Sequence, residues 1–168
     1  MNVAVITVST RAAAGVYPDR SGDLLVELAT RAGHAVARRE VVPDGETRLA
    51  ELLRALCTDP AVDMVITTGG TGLTPMDCTP EATAAVCERI VPGIGEAIRA
   101  ASLAAVPHAM RTRGIAGVLD GTLIVNLPGS PGGAADGWAV LATVADHAVA
   151  QIRGGDHPRP EPSSPAGF

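Results

Sequence analysis

Val62-Asp-Met-Val-Ile-Thr-Thr-Gly-Gly-Thr-Gly72 changes character part-way along. Val62 to Thr68 is an apolar, β-branched run and reads as a buried strand, while the next four residues hold three glycines. Further on, Thr79-Pro80-Glu81 reads as a helix start, with Thr79 as N-cap, Pro80 at the first position and Glu81 in the first turn. Strand, glycine turn and helix make one βα unit, and the rest of the chain repeats the alternation. Val3-Ala-Val-Ile-Thr-Val8 is a strand, followed by a loop with Gly15 and Pro18. A helix from Ser21 to Gly33 places Leu24, Leu25, Leu28 and Ala32 on one face. Ala35 to Val42 is a strand ending at Pro43-Asp44-Gly45, and Leu49, Leu52, Leu53 and Leu56 mark the next helix. After Glu81, Pro92-Gly93 breaks the helix, and Ile94, Ala97, Ile98 and Ala101 suggest another. Gly117 to Asn126, with Asp120-Gly121 in the middle, is a hairpin whose second arm, Thr122 to Asn126, runs into Pro128-Gly-Ser-Pro131. One last helix carries Trp138, Leu141, Ala145, Ala148 and Val149.

This pattern predicts an α/β fold: a three-layer αβα sandwich with a mostly parallel sheet and a small β-hairpin. Ligands of such sheets bind beyond the carboxyl ends of the strands. The segments to inspect are therefore Ser9–Arg11, Pro43–Gly45, Thr67–Asp77 and Asn126–Pro131.

The chain has 168 residues, 46% of them hydrophobic and only 2% aromatic (Tyr17, Trp138 and Phe168), so one domain with a small-residue aliphatic core is expected. We place that domain at residues 1–153; from Gly154 to Phe168 four prolines with Ser and Gly read as a disordered tail. The net charge is −5, and every basic residue is arginine. Without lysine, a Walker-A loop, a Schiff base and the usual kinase ion pair are all excluded. The acidic balance and the scarcity of aromatics argue against nucleic-acid and anionic-membrane partners. Cys57, Cys78 and Cys87 are odd in number and lack metal-ligand spacing, so they read as packed thiols rather than a disulfide framework or zinc site. Nothing before Val3 reads as a targeting segment, and no apolar run approaches about 18 residues, so a cytoplasmic setting is expected.

Glycines at 69, 70 and 72 remove Cβ bulk and let backbone amides approach an anion, with Thr68 and Thr71 adding neutral hydroxyls. The same turn could equally be structural, and Pro75 stands where a dinucleotide fingerprint would need its third glycine. Asp44 and Asp77, both at strand-end loops, could hold Mg²⁺ or could be turn residues. Ser130 could cap the helix after Pro131 or donate to a phosphate, and Arg11 could clamp an anion or sit solvated. Ser9 and Ser130 have no evident His–Asp partners, so a catalytic triad is rejected.

Val8-Ser-Thr-Arg11, Val42-Pro-Asp44, Thr67-Thr-Gly-Gly-Thr-Gly72, Asp77-Cys-Thr-Pro-Glu-Ala82, Pro92-Gly-Ile-Gly-Glu96 and Asn126-Leu-Pro-Gly-Ser-Pro131 occur in one order. Together they resemble the MogA/MoaB family of molybdenum-cofactor biosynthesis proteins, with its molybdopterin-binding domain, from about Asn2 to Arg153. The resemblance implies Mg²⁺-dependent adenylyl transfer from ATP to the terminal phosphate of molybdopterin, with release of pyrophosphate. It assigns Asp44 and Asp77 to catalysis and to Mg²⁺. It places Ser9, Arg11, Thr68, Gly69, Gly70, Thr71, Gly72, Pro128, Gly129, Ser130 and Pro131 along the nucleotide and pterin-phosphate site. It also implies a homotrimer and a downstream molybdate-insertion protein as partner. One position departs: relatives often carry a basic residue just before the aspartate, and here it is Met76. A lost charge-assisted contact would cost about 1.5–3 kcal/mol, or about 10- to 150-fold in affinity. The alternative reading is therefore a molybdopterin-binding or carrier protein of the same family without transfer activity.

Overall fold

The computed structural model describes residues 1–103 and 106–155. The expected tail lies outside the described residues from position 156 onward. Six strands form one sheet: β1 (Asn2–Val8), β2 (Ala35–Val42), β3 (Met64–Thr68), β4 (Arg89–Ile90), β5 (Ala116–Leu119) and β6 (Thr122–Leu127). Their order is β2-β1-β3-β6-β5-β4. β1 pairs in parallel with β2 and β3, and β3 with β6; β5 runs antiparallel to both of its neighbours. The β5–β6 turn is the expected hairpin, with positive φ at both Asp120 (47°) and Gly121 (80°), as a two-residue turn matched to strand twist requires.

Alternation along the strands creates two cores. Val3 and Val5 of β1, Met64 and Ile66 of β3, and Leu123 and Val125 of β6 face one side. There they meet α2 (Arg20–Arg31), α5 (Pro92–Leu103), α6 (Pro131–Leu141) and α7 (Ala145–Ile152) through Leu25, Ile98, Trp138 and Val149. Ala4, Ile6, Val65 and Ile124 face the other side and pack on α3 (Glu46–Cys57) and α4 (Thr79–Ala84) through Leu49, Leu53 and Ala82. The result is the three-layer αβα sandwich, with every side chain of β3 and β6 buried, as a central parallel strand demands.

Several boundaries differ from the sequence reading, each for a local reason. α2 begins at Arg20, because Asp19 rather than Ser21 opens it, its Oδ1 accepting from the Gly22 amide at 3.1 Å. Cys78, not Thr79, is the N-cap of α4; Thr79 is already helical, and its hydroxyl donates to the Gly69 carbonyl at 2.9 Å. α4 ends at Ala84, well before Pro92-Gly93. The Glu88 amide then bonds Val118 O at 2.9 Å and carries the chain to the sheet edge as β4. Pro92 opens α5 instead of breaking a helix, a position where its missing amide costs nothing. The last helix is two. The Thr143 and Val144 amides bond Val140 O and Leu141 O, tightening the end of α6 before α7 starts. A short helix α1 (Thr10–Ala13) stands within the loop expected after β1, and a 3₁₀ helix spans Pro107–Arg111.

Candidate active site

The carboxyl ends of β1, β2, β3 and β6 deliver four loops to one open cleft of about 580 Å³. Ser9, Asp44, Thr68, Gly69, Gly70, Asp77, Gly129 and Pro131 line it, so residues scattered over more than 120 positions meet at one edge of the sheet. The first two loops lock together. The Thr10 amide and hydroxyl both donate to Asp44 Oδ2, at 2.8 and 2.7 Å, and the Asp44 amide donates back to Thr10 Oγ1 at 3.1 Å. The glycine loop is tied to the Pro128 loop. Thr68 Oγ1 donates to Pro128 O at 2.8 Å, and the Gly69 amide donates to Leu127 O at 3.2 Å. A Cβ on Gly129 would lie 2.9 Å from Gly69 Cα, while one on Gly69, whose φ is +96°, would collide with the Val8 carbonyl oxygen. The backbones therefore touch at this crossing, and a side chain has no room there.

Asp77 closes its own turn. Its Oδ2 accepts from the Thr74 amide at 2.8 Å and the Thr74 hydroxyl at 2.7 Å, while its amide donates to Thr74 O at 3.0 Å. Among the described residues, neither Asp44 nor Asp77 uses its second carboxylate oxygen in a hydrogen bond. That donor set suits Mg²⁺, which typically takes one or two carboxylates and completes its shell with water and phosphate oxygens. No group of three or more His, Cys, Asp or Glu side chains could hold a metal by itself among the described residues.

The remaining expected residues spread over neighbouring surfaces. Thr71 and Gly72 line a second groove of about 440 Å³, with His108 and Arg111; Asp77 borders both cavities. Pro128 and Ser130 line a third, of about 330 Å³, and the Ser130 hydroxyl caps α6 by accepting from the Gly133 amide at 3.2 Å. Arg11 stands outside the cleft lining, with its guanidinium 5.1 Å above the Tyr17 ring, and the Tyr17 and Ser9 hydroxyls share a 2.8 Å hydrogen bond.

Residues 4–147 match the family described as "Probable molybdopterin binding domain". The chain belongs to that family. Among molybdopterin-binding-domain relatives, a protein named molybdopterin adenylyltransferase from Helicobacter pylori is 39% identical over 133 residues, covering 78% of this chain and 76% of its own. Its namesake from Escherichia coli K12 is 37% identical over 133 residues, covering 78% and 68%. The molybdopterin biosynthesis Mog protein of Mycobacterium ulcerans superposes with a TM-score of 0.84 at 46% identity, over 90% of this chain and 98% of that one. The molybdopterin biosynthesis enzyme MoaB of Thermus thermophilus gives 0.85 at 38% identity, over 91% and 96%.

Three residues that the sequence reading passed over shape this molybdopterin-binding-domain cleft. Asp19 lines it, caps α2 and pairs with Arg39 from β2. Burial by itself would raise the Asp19 carboxyl, but the Thr7 hydroxyl, the Arg39 guanidinium and the Gly22 amide together hold it below the usual range. Its local signal was the Asp19-Arg-Ser-Gly22 cap pattern, whereas the Arg39 contact spans 20 positions and has no local signal. Arg113 reaches the far end of the glycine loop through the Gly72 and Asp77 carbonyls. Among the described residues, no helix is long and apolar enough to cross a membrane.

Proposed function

We propose that the protein is a molybdopterin adenylyltransferase acting in molybdenum-cofactor biosynthesis. The observation that carries this reading is the convergence of Asp44, Asp77 and the Gly69–Gly70 backbone on one cleft. In the proposed reaction an oxygen of the molybdopterin terminal phosphate attacks the α-phosphorus of ATP. A new P–O bond forms, the α–β phosphoanhydride bond breaks, and pyrophosphate leaves with the bonding electron pair. Such a transfer needs positioning and charge neutralisation rather than a covalent protein nucleophile. Asp44 and Asp77 would hold Mg²⁺, which when bound neutralises phosphate charge. Ser9 and Gly70 orient phosphate oxygens in the cleft, with Thr68, Gly69, Gly129 and Pro131 shaping its walls and Thr71, Gly72, Pro128 and Ser130 lining the adjoining grooves. Arg11, which caps the outer rim over Tyr17, supplies a positive charge at the entrance.

The reading carries with it a cytoplasmic homotrimer that passes its product to a molybdate-inserting protein. Incubation with molybdopterin, ATP and Mg²⁺ should yield adenylyl-molybdopterin and pyrophosphate in equal amounts. Tight molybdopterin binding with no ATP-dependent product would instead support a carrier, the reading that Met76 favours by placing no positive charge beside Asp77.

A further inference from the structure

We propose that Arg113 is a positioning residue: it holds the glycine turn and the Asp77 turn in register. This rests on the adenylyltransferase reading for its effect on turnover, but not for its effect on the turn. Arg113 lies between the 3₁₀ helix and β5, and it meets the loop at every level. Its backbone amide donates to Thr71 O at 2.8 Å, its Nε to Gly72 O at 2.7 Å, and its Nη2 to Asp77 O at 2.8 Å. Its Nη1 pairs with the Glu81 carboxylate in the first turn of α4. Between Gly72 and Asp77 the turn bonds to itself through Thr74 and Asp77, and to the rest of the described chain through Arg113.

The contacts are directional. In a planar trans peptide the N–H lies opposite the C=O, so drawing the Thr71, Gly72 and Asp77 carbonyls onto Arg113 sets the direction of the Gly72, Leu73 and Cys78 amides. The guanidinium plane can serve the Gly72 and Asp77 carbonyls and the Glu81 carboxylate at once because its five donors are fixed in a fork; an ammonium is a point donor. The neighbouring residues brace Arg113 itself. Thr112 and Thr71 share a hydroxyl hydrogen bond of 3.1 Å, and Arg99 Nη1 donates to Gly114 O at 2.8 Å. A Cβ at Gly114 would lie 2.7 Å from Asn126 O, so the strap is pressed against the end of β6. Met76, by contrast, projects into solvent, 61% exposed. The Glu81 partner is also largely exposed, so that ion pair alone adds little to stability. The lasting consequence of the guanidinium is the geometry of the turn.

Hydrogen exchange of peptides covering residues 69–78, measured beside adenylyl transfer, tests this on the full chain. Arg113→Ala should speed exchange in that segment by about tenfold or more while β1 and β3 stay protected. It should lower kcat by about 10- to 100-fold and leave KM for ATP within about threefold, since misplacement of the reacting groups costs rate rather than ground-state binding. Arg113→Lys should restore neither protection nor rate, and it serves as the test should the alanine variant fail to fold. Glu81→Gln keeps the carbonyl bonds and should behave as the wild type. Unchanged exchange in both Arg113 variants overturns the inference, as does a Glu81→Gln loss equal to that of Arg113→Ala. A wild-type chain that makes no adenylyl-molybdopterin sinks the functional reading alone, and the exchange result still decides Arg113.

Discussion

Asp77 commits one carboxylate oxygen to its own turn and leaves the other without a hydrogen bond among the described residues. An asparagine would keep the turn, since its amide oxygen accepts the same two bonds, while removing the charge. Asp77→Asn should therefore lower turnover by about 100-fold or more and change molybdopterin affinity far less, as loss of a transition-state contact does. Steady-state kinetics beside equilibrium pterin binding checks this, and a fully active variant would remove Asp77 from the mechanism. At this scale the sequence was most readable where the geometry is local. Asp77 three residues after Thr74 and Ser130 ahead of Pro131 announce a short-range turn and a cap, whereas the Asp44 carboxylate accepts from Thr10, 34 positions away. The cysteines were readable too. Burial pushes the Cys57 thiol up to about 12 and the Cys87 thiol up to about 11, which keeps both protonated and inert at neutral pH.

Helix α2 shows how an element depends on a distant charge. Asp19 caps it, and Arg39 on β2 pairs with both Asp19 and Asp23, the latter at 3.6 Å. Asp19→Ala should cost about 0.5–2 kcal/mol through the lost cap. The Asp19 carboxyl titrates below its unfolded value, as does Glu81, whose hydrogen bond from Arg113 is the main cause. The native state thus binds fewer protons than the unfolded chain in that range. Their stabilisation is fully present above about pH 4–5 and is lost as pH falls through the lowered native values. Urea unfolding followed by the buried Trp138 should show a midpoint that falls between about pH 5 and pH 2, with a shallower fall in Asp19→Ala; parallel curves would exclude Asp19 as a source. Element boundaries were less readable than element types for the same reason. Thr79 satisfies every local rule for a cap, yet its hydroxyl is taken by Gly69, ten positions back in the chain.

Across the whole molecule, the sheet order β2-β1-β3-β6 sets the Asp44 loop, the Ser9 loop, the glycine loop with Asp77 and the Pro128 loop side by side. Leu73, Met76 and Met110 remain more than 60% exposed on this chain, apolar surface of the kind that assembly covers. The proposed homotrimer should sediment at about three times the 17.0 kDa of one chain, and a single-chain mass at micromolar concentration would exclude it. The sequence by itself determined the alternation of strands and helices, the hairpin and the local Asp77 turn. Each rests on side-chain periodicity or on neighbours within about four positions, which a linear reading contains. Tertiary structure decided which loops share a cleft, which charge pairs with the Asp19 cap of α2, and that Arg113 reaches the Asp77 turn. Those contacts join residues 20 to 60 positions apart, and only the register of the folded sheet brings them within hydrogen-bonding distance.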